Sequence, residues 1–252
     1  MSVYSGHDPS VPEAPSILLL HGFSNTAGCW RRLRAAGVAE RFRVIAPDIR
    51  GHGSASAQRP VALSPVLGDI AALAPVTGVT VLGYSQGGRI ALHAALDPRV
   101  GPRIRHLVLI GASPGLADPA ERAARWRSDE RLADELETMS MAAFAARWAR
   151  TPVLAGVSDD IAQESQADRM GCEPAGLAAA LHGLGTGALP SLWSRLGELT
   201  MPVTLIAGER DAKFTALAWE MAERIPRVQV AIIPGAGHQV HLEDPEAVAA
   251  LL

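Results

Sequence analysis

Cysteine is scarce in the 252-residue sequence, with two copies, Cys29 and Cys172, lying far apart. Neither has a partner at the spacing of a zinc site or a redox couple, so both are read as packing residues in a reduced compartment. A long apolar run is missing from the start of the chain. The first fifteen residues are polar and proline-rich, a tail expected to be loose up to Pro15, and the first apolar run, Ile17 to Leu20, is far too short for a signal peptide. A cytoplasmic protein without membrane association is expected. A strong charge of one sign is lacking too: the net charge is −3 and the basic residues are dispersed. That excludes a nucleic-acid footprint and a polybasic membrane patch, while leaving room for a local basic pocket. Among eight histidines only His238 and His241 are close, and no pair has the H-E-x-x-H spacing, so no metal is expected. The stretch Ile49-Arg50-Gly51-His52-Gly53-Ser54 lacks both the G-x-G-x-x-G order and a P-loop lysine. It reads as a structural turn, with His52 a hydrogen-bonded turn residue, and no cofactor is expected.

What the sequence does have is a hydrophobic fraction of 48% over 252 residues, enough to bury the core of one large domain carrying an inserted subdomain. Nothing in it requires a partner subunit, and a monomer suffices. The most informative stretch is Val79 to Gly88, an apolar β-type run that ends in Gly83-Tyr84-Ser85-Gln86-Gly87 and passes into the helical run Arg89 to Leu96. A serine between a strand and a helix in G-x-S-x-G is forced into a tight turn, which the flanking glycines permit. Ser85 is thereby held up at a helix N-terminus, where developing negative charge is favoured. The alternative for such a serine is an ordinary helix N-cap.

Around this elbow the chain alternates. Strands are expected at Ile17–Leu20, Phe42–Ala46, Thr80–Leu82, His106–Ile110, Val203–Ala207 and Val228–Ile233. Helices are expected from about Cys29 to Ala36, Leu63 to Leu73, Phe214 to Arg224 and from Pro245 to the end. This order predicts a doubly wound, mostly parallel sheet of the α/β-hydrolase type. Between 116 and 196 the alternation stops, and amphipathic stretches at Pro119–Met139, Met141–Arg150 and Asp160–Leu181 are broken by Pro152, Pro174 and Pro190. They are expected to form a helical cap inserted after the strand at 106–110, over a core built from 1–115 and 197–252.

Ligand loops of such a sheet lie at the carboxyl ends of its strands. There the sequence puts His21-Gly22-Phe23, Ser85, Asp211 and His238. Serine, acid and histidine in this chain order predict a triad of Ser85, Asp211 and His238, with an oxyanion hole from the Phe23 and Gln86 N–H groups. Asp48 and Asp118 are alternative acids that do not follow the penultimate strand. His241 is an alternative base, although Glu243-Asp244-Pro245 beside it suggests a helix start.

Further motifs sharpen this. Gly83 to Arg89; Ser113-Pro114-Gly115-Leu116 with Glu121-Arg122-Ala123-Ala124-Arg125-Trp126 and Asp129; Trp148 near Pro152-Val153-Leu154; Gly185-Thr186-Gly187 through Pro190-Ser191-Leu192-Trp193; Gly208 to Phe214; and Ala236-Gly237-His238 to Glu243 together resemble the 2-succinyl-6-hydroxy-2,4-cyclohexadiene-1-carboxylate synthases of menaquinone biosynthesis. The similarity runs from His21 to Pro245. Arg50 stands where that family is expected to carry proline, and the surroundings of Arg169 depart from its expected asparagine-rich stretch. The resemblance implies a lyase that eliminates pyruvate from a small-molecule tricarboxylate, with Ser85 as a base and no acyl-enzyme. It also implies that Arg89, Arg125 and Arg169 bind carboxylates, with Arg122 in reserve for Arg125, and that Tyr84 and Trp148 are pocket walls. A serine-dependent ester or carbon–carbon hydrolase is the alternative; a non-enzymatic binding protein on this fold is a third reading, which an intact triad disfavours.

Overall fold

The computed structural model describes residues 14–252. The expected loose tail falls almost wholly on residues 1–13, outside the described residues. Six strands, β1 (Ser16–Leu20), β2 (Arg43–Ile45), β3 (Val79–Tyr84), β4 (Ile104–Ile110), β5 (Val203–Gly208) and β6 (Val228–Ile233), form one sheet in the order β2-β1-β3-β4-β5-β6, and every neighbouring pair is parallel. The order reverses between β1 and β3, the point at which open α/β sheets leave a crevice at their strand ends.

The continuous apolar strands are explained by burial on both faces. Side chains alternate: Ile17, Leu19, Leu82, Val108 and Ile206 join one core cluster with Trp30, Leu33, Val240 and Val248, whereas Leu18, Leu20, Val81, Leu107 and Leu205 join another with Ile70, Ile90 and Met221. The first face is covered by a broken helical segment at 27–41, containing α1 (Arg31–Leu33) and α2 (Ala39–Arg41). The second is covered by α3 (Leu63–Leu73), α4 (Gln86–Ala95) and, further along the chain, the helix Ala212–Ala222. The expected regular helix at 29–36 is not found. A 3-10 turn, Ala27–Trp30, leads into α1, and Gly37 then takes φ 89°, so the chain makes a wide turn at 34–38.

Four helices lie between β4 and β5: α5 (Pro119–Thr138), α6 (Met141–Trp148), α7 (Asp159–Arg169) and α8 (Pro174–Leu184). The stretch expected at 160–181 divides because Pro174 opens α8 at a first-turn position, where a missing N–H costs nothing. Three of them, α5, α6 and α8, share a cluster of Leu136, Phe144, Leu177 and Leu181. The chain closes with α9 (Ala212–Ala222), the short α10 (Val240–Glu243) and α11 (Pro245–Ala250). No helix among the described residues is long and apolar enough to cross a membrane.

Candidate active site

The elbow forms between β3 and α4. Ser85 takes φ 51°, a strained value for a residue with a side chain, and its amide donates to the Ile110 carbonyl at 2.8 Å. A Cβ on Gly83 would stand 2.5 Å from the Gly87 carbonyl oxygen, and one on Gly87 would collide with the Leu20 and His21 carbonyls. Only glycine at both positions lets helix and strand approach so closely. Ser85 occupies the N-cap position of α4, yet its side chain makes no capping hydrogen bond. Its Oγ lies 3.2 Å from His238 Nε2 instead.

His238 Nδ1 is 2.6 Å from Asp211 Oδ2, and both residues are buried. Asp211 lies three residues past the end of β5 and caps α9, accepting from the Phe214 amide at 3.3 Å. The imidazole packs beside the rings of Phe214 and Tyr84, with centroids at 4.6 and 5.2 Å. Ser85, His238 and Asp211 thus form a hydrogen-bonded relay of the kind that makes a serine hydroxyl basic.

The alternatives are engaged elsewhere. Asp118 caps α5, accepting from the Glu121 amide at 2.8 Å. Asp48 accepts from the amides of Ala27 and Ser54, at 2.7 and 2.8 Å. Burial pushes its carboxyl up, but these amides and the Ser54 hydroxyl outweigh that, leaving it below the ordinary range. His241 is fully buried between Trp30 and Tyr84, with ring centroids at 4.9 and 4.3 Å, and neither nitrogen has a hydrogen-bond partner among the described residues. Burial, and then His238, depress its pKa to about 3. His52 is buried likewise, its Nδ1 3.3 Å from the Arg50 carbonyl. Arg50 grips Asp69 of α3 with two hydrogen bonds of 2.6 and 2.9 Å.

Phe23 and Gln86 line the same space as Ser85. Gln86 is the first residue of α4, where N–H groups have no intrahelical acceptor, and the Phe23 N–H has no backbone acceptor among the described residues. A cavity of about 710 Å³ opens here, walled by Phe23, Ser85, Gln86, Trp148 and His238. The Phe23 ring meets Trp148 at 5.2 Å and Phe144 at 6.2 Å, both from the cap.

The cavity is cationic. Arg89, one turn along α4 from Ser85, is buried with its Nε unpartnered; burial, and then the nearby Arg125, pull its pKa down to about 10. Arg125 reaches the same cavity and donates to Asp129 at 2.7 Å; Arg122 is not among the lining residues. Tyr84 and Arg169 do not line it either. The alternation of β3 carries Tyr84 with Leu82 into the cluster around Trp30, where it supports the His238 ring. Arg169 ends α7 buried, close enough to feel Tyr84, with its Nε unpartnered.

Sequence reasoning missed part of the wall. Arg131, Arg150 and Lys213 also line the cavity and have no ion pair among the described residues, whereas Arg147 is paired with Glu135. For Lys213 a signal existed: it is the sequence's single lysine. Four cations without a carboxylate partner among the described residues, Arg89 being the fourth, suit a ligand carrying several carboxylates.

A profile of the alpha/beta hydrolase family matches residues 17–251. A Bacillus subtilis protein is 34% identical, the alignment covering 96% of this chain and 90% of its own. The 2-succinyl-6-hydroxy-2,4-cyclohexadiene-1-carboxylate synthase of Escherichia coli O1:K1 is also 34% identical, over 96% of this chain and 93% of its own. Among solved structures, MenH from S. aureus superposes with a TM-score of 0.90 at 27% identity, covering 97% of this chain and 94% of its own.

Proposed function

The chain belongs to the 2-succinyl-6-hydroxy-2,4-cyclohexadiene-1-carboxylate synthase family of alpha/beta hydrolases, and on that footing we propose that it eliminates pyruvate from 2-succinyl-5-enolpyruvyl-6-hydroxy-3-cyclohexene-1-carboxylate. The Ser85 hydroxyl passes its proton to His238 Nε2 and takes the proton from the ring carbon beside the succinyl ketone. Asp211 holds the imidazole through Nδ1 and stabilises the imidazolium. The C–H electron pair delocalises into the ketone, whose oxygen lies between the Phe23 and Gln86 amides. Collapse of that enolate shifts the ring double bond and breaks the C–O bond to the enolpyruvyl group. The departing enolpyruvate takes up the proton from the imidazolium and tautomerises to pyruvate. Two buried cysteines without a disulfide suit a cytoplasmic location.

One observation carries the reading: a buried, carboxylate-free Arg89 beside Arg125, in the same cavity as Ser85. An apolar ester has no use for those charges, whereas a tricarboxylate requires them. The base and nucleophile roles of Ser85 are separated by rapid quench and isotope labelling. Deuterium on the carbon beside the ketone is expected to slow pyruvate release by a primary isotope effect, with no mass adduct on Ser85. A covalent adduct that builds and decays with turnover would make Ser85 a nucleophile.

A further inference from the structure

Cap helix α7 carries Asp160, Glu164 and Asp168, spaced four apart and therefore on one face. That face is laid against residues 25–32. Arg32 donates to Glu164 at 2.7 Å and to Asp160 at 2.7 Å, and Arg31 lies 3.4 Å from Glu164. At the end of the stripe Asp168 accepts from the Thr26 amide at 3.0 Å, from Asn25 Nδ2 at 3.1 Å and from the Thr26 hydroxyl. The approach is tight: a Cβ on Gly28 would stand 2.7 Å from Asp168 Oδ1. The next amide in sequence, Ala27, donates to Asp48 at 2.7 Å.

Two carboxylates thus hold consecutive amides of the turn that follows Phe23. Asp48 belongs to the core and Asp168 to the cap. Inside the turn, Ser24 is fully buried and held at φ 62°, a left-handed value that a serine keeps only when its surroundings impose it. Asp168 is not among the residues lining the cavity and touches none of the triad. We propose that Asp168 is a positioning residue: by docking α7 onto Asn25 and Thr26 it fixes the strained turn that aims the Phe23 N–H, so that the oxyanion hole is complete only while the cap is seated. The inference rests on the reading of Phe23 as an oxyanion donor in pyruvate elimination. It adds that one side chain, remote from the reacting atoms, makes that donor depend on the cap.

The test uses the full chain as wild type, Asp168→Ala, Asp168→Asn and Thr26→Val, followed by pyruvate release and by amide hydrogen exchange. Losing one oxyanion donor outright costs about 100- to 1,000-fold in kcat, so a donor left mis-aimed in Asp168→Ala should cost roughly 10- to 100-fold, with KM changed less than about threefold. Asp168→Asn keeps an acceptor for the Thr26 amide and recovers most of the rate. Thr26→Val, which removes the hydroxyl contact from the core side and keeps the Thr26 amide and Asn25 contacts, lowers kcat in the same direction by a smaller factor. The double variant Thr26→Val/Asp168→Ala is little slower than Asp168→Ala, because the contact between the Thr26 hydroxyl and Asp168 is already lost in the single variant. Exchange rises at residues 23–26 and not in β3 or β5. A merely structural Asp168 would lower the melting temperature and leave kcat of the folded enzyme unchanged. Unchanged kcat in folded Asp168→Ala overturns the proposal; should that variant not fold, unchanged kcat and exchange in Thr26→Val do so. If the wild type itself releases no pyruvate, the elimination reading fails instead, and the exchange comparison still decides whether Asp168 fixes the turn.

Discussion

Arg89 is the residue at which stability and function pull apart. A guanidinium buried without a carboxylate is an uncompensated charge, which folding alone disfavours and a bound carboxylate relieves. Arg89→Met should therefore be at least as stable as the wild type while raising KM about 10- to 100-fold, the scale of one lost charged hydrogen bond of ~1.5–3 kcal/mol. Thermal melts with parallel kinetics check both halves; a destabilised variant with unaltered KM would make Arg89 a structural residue. The convergence of Ser85, Asp211 and His238 was legible in the sequence because each follows a strand, and parallel strands end on one edge. Phe23, Gln86, Arg89, Arg125 and Trp148 reach the cavity for related reasons. Tyr84 and Arg169 do not. The parity of a strand decides which face Tyr84 joins, and parity across a strained elbow is not visible in a motif. Lys213 was passed over because an exposed lysine in a first helical turn ordinarily faces solvent.

At the scale of elements, strand positions were readable because doubly buried parallel strands leave continuous apolar runs such as Ile17 to Leu20 and Leu107 to Ile110. The segment at 27–41 was not, since one left-handed glycine, Gly37, breaks a helix whose composition otherwise favours it. The docking face of α7 was present as the spacing of Asp160, Glu164 and Asp168, but its partners, 128 to 143 residues away, were not. Phe144 ties the cap to the site: it is fully buried in the cap's own cluster, its ring 5.5 Å from Trp148 and 6.2 Å from Phe23. Phe144→Ala should cost about 3–5 kcal/mol locally, the usual range for emptying a buried aromatic site. The expected outcome is a protease-sensitive cap and a fall in kcat/KM, with the strands still protected from hydrogen exchange. Uniform loss of protection across sheet and cap would mean that the two unfold together.

For the whole molecule, buried histidines set the acid limit. Burial holds the pKa of His52 and of His241 at about 3, and burial together with Arg89 holds that of His93 at about 4, against 6.5 for an unburied histidine. Between those values and 6.5 the unfolded chain binds more protons than the folded one. The contribution is therefore complete above pH 6.5 and is lost as pH falls towards 3, with a slope of up to about 1.4 kcal/mol per pH unit for each histidine. Melting temperatures should be level above neutrality and fall below pH 6.5. His241→Phe, which keeps a ring between Trp30 and Tyr84, should flatten that fall, and an identical slope would remove His241 from the account. The central claim is that the Ser85 relay, inside a cavity lined by cations, removes a proton and expels pyruvate. Its most direct measurement is pyruvate release from the enolpyruvyl cyclohexene by the wild type and by Ser85→Ala, with p-nitrophenyl esters run in parallel. Rapid release by the wild type, a loss of several orders of magnitude in Ser85→Ala and negligible ester turnover are predicted. Ester hydrolysis without pyruvate release, or full release by Ser85→Ala, would contradict it.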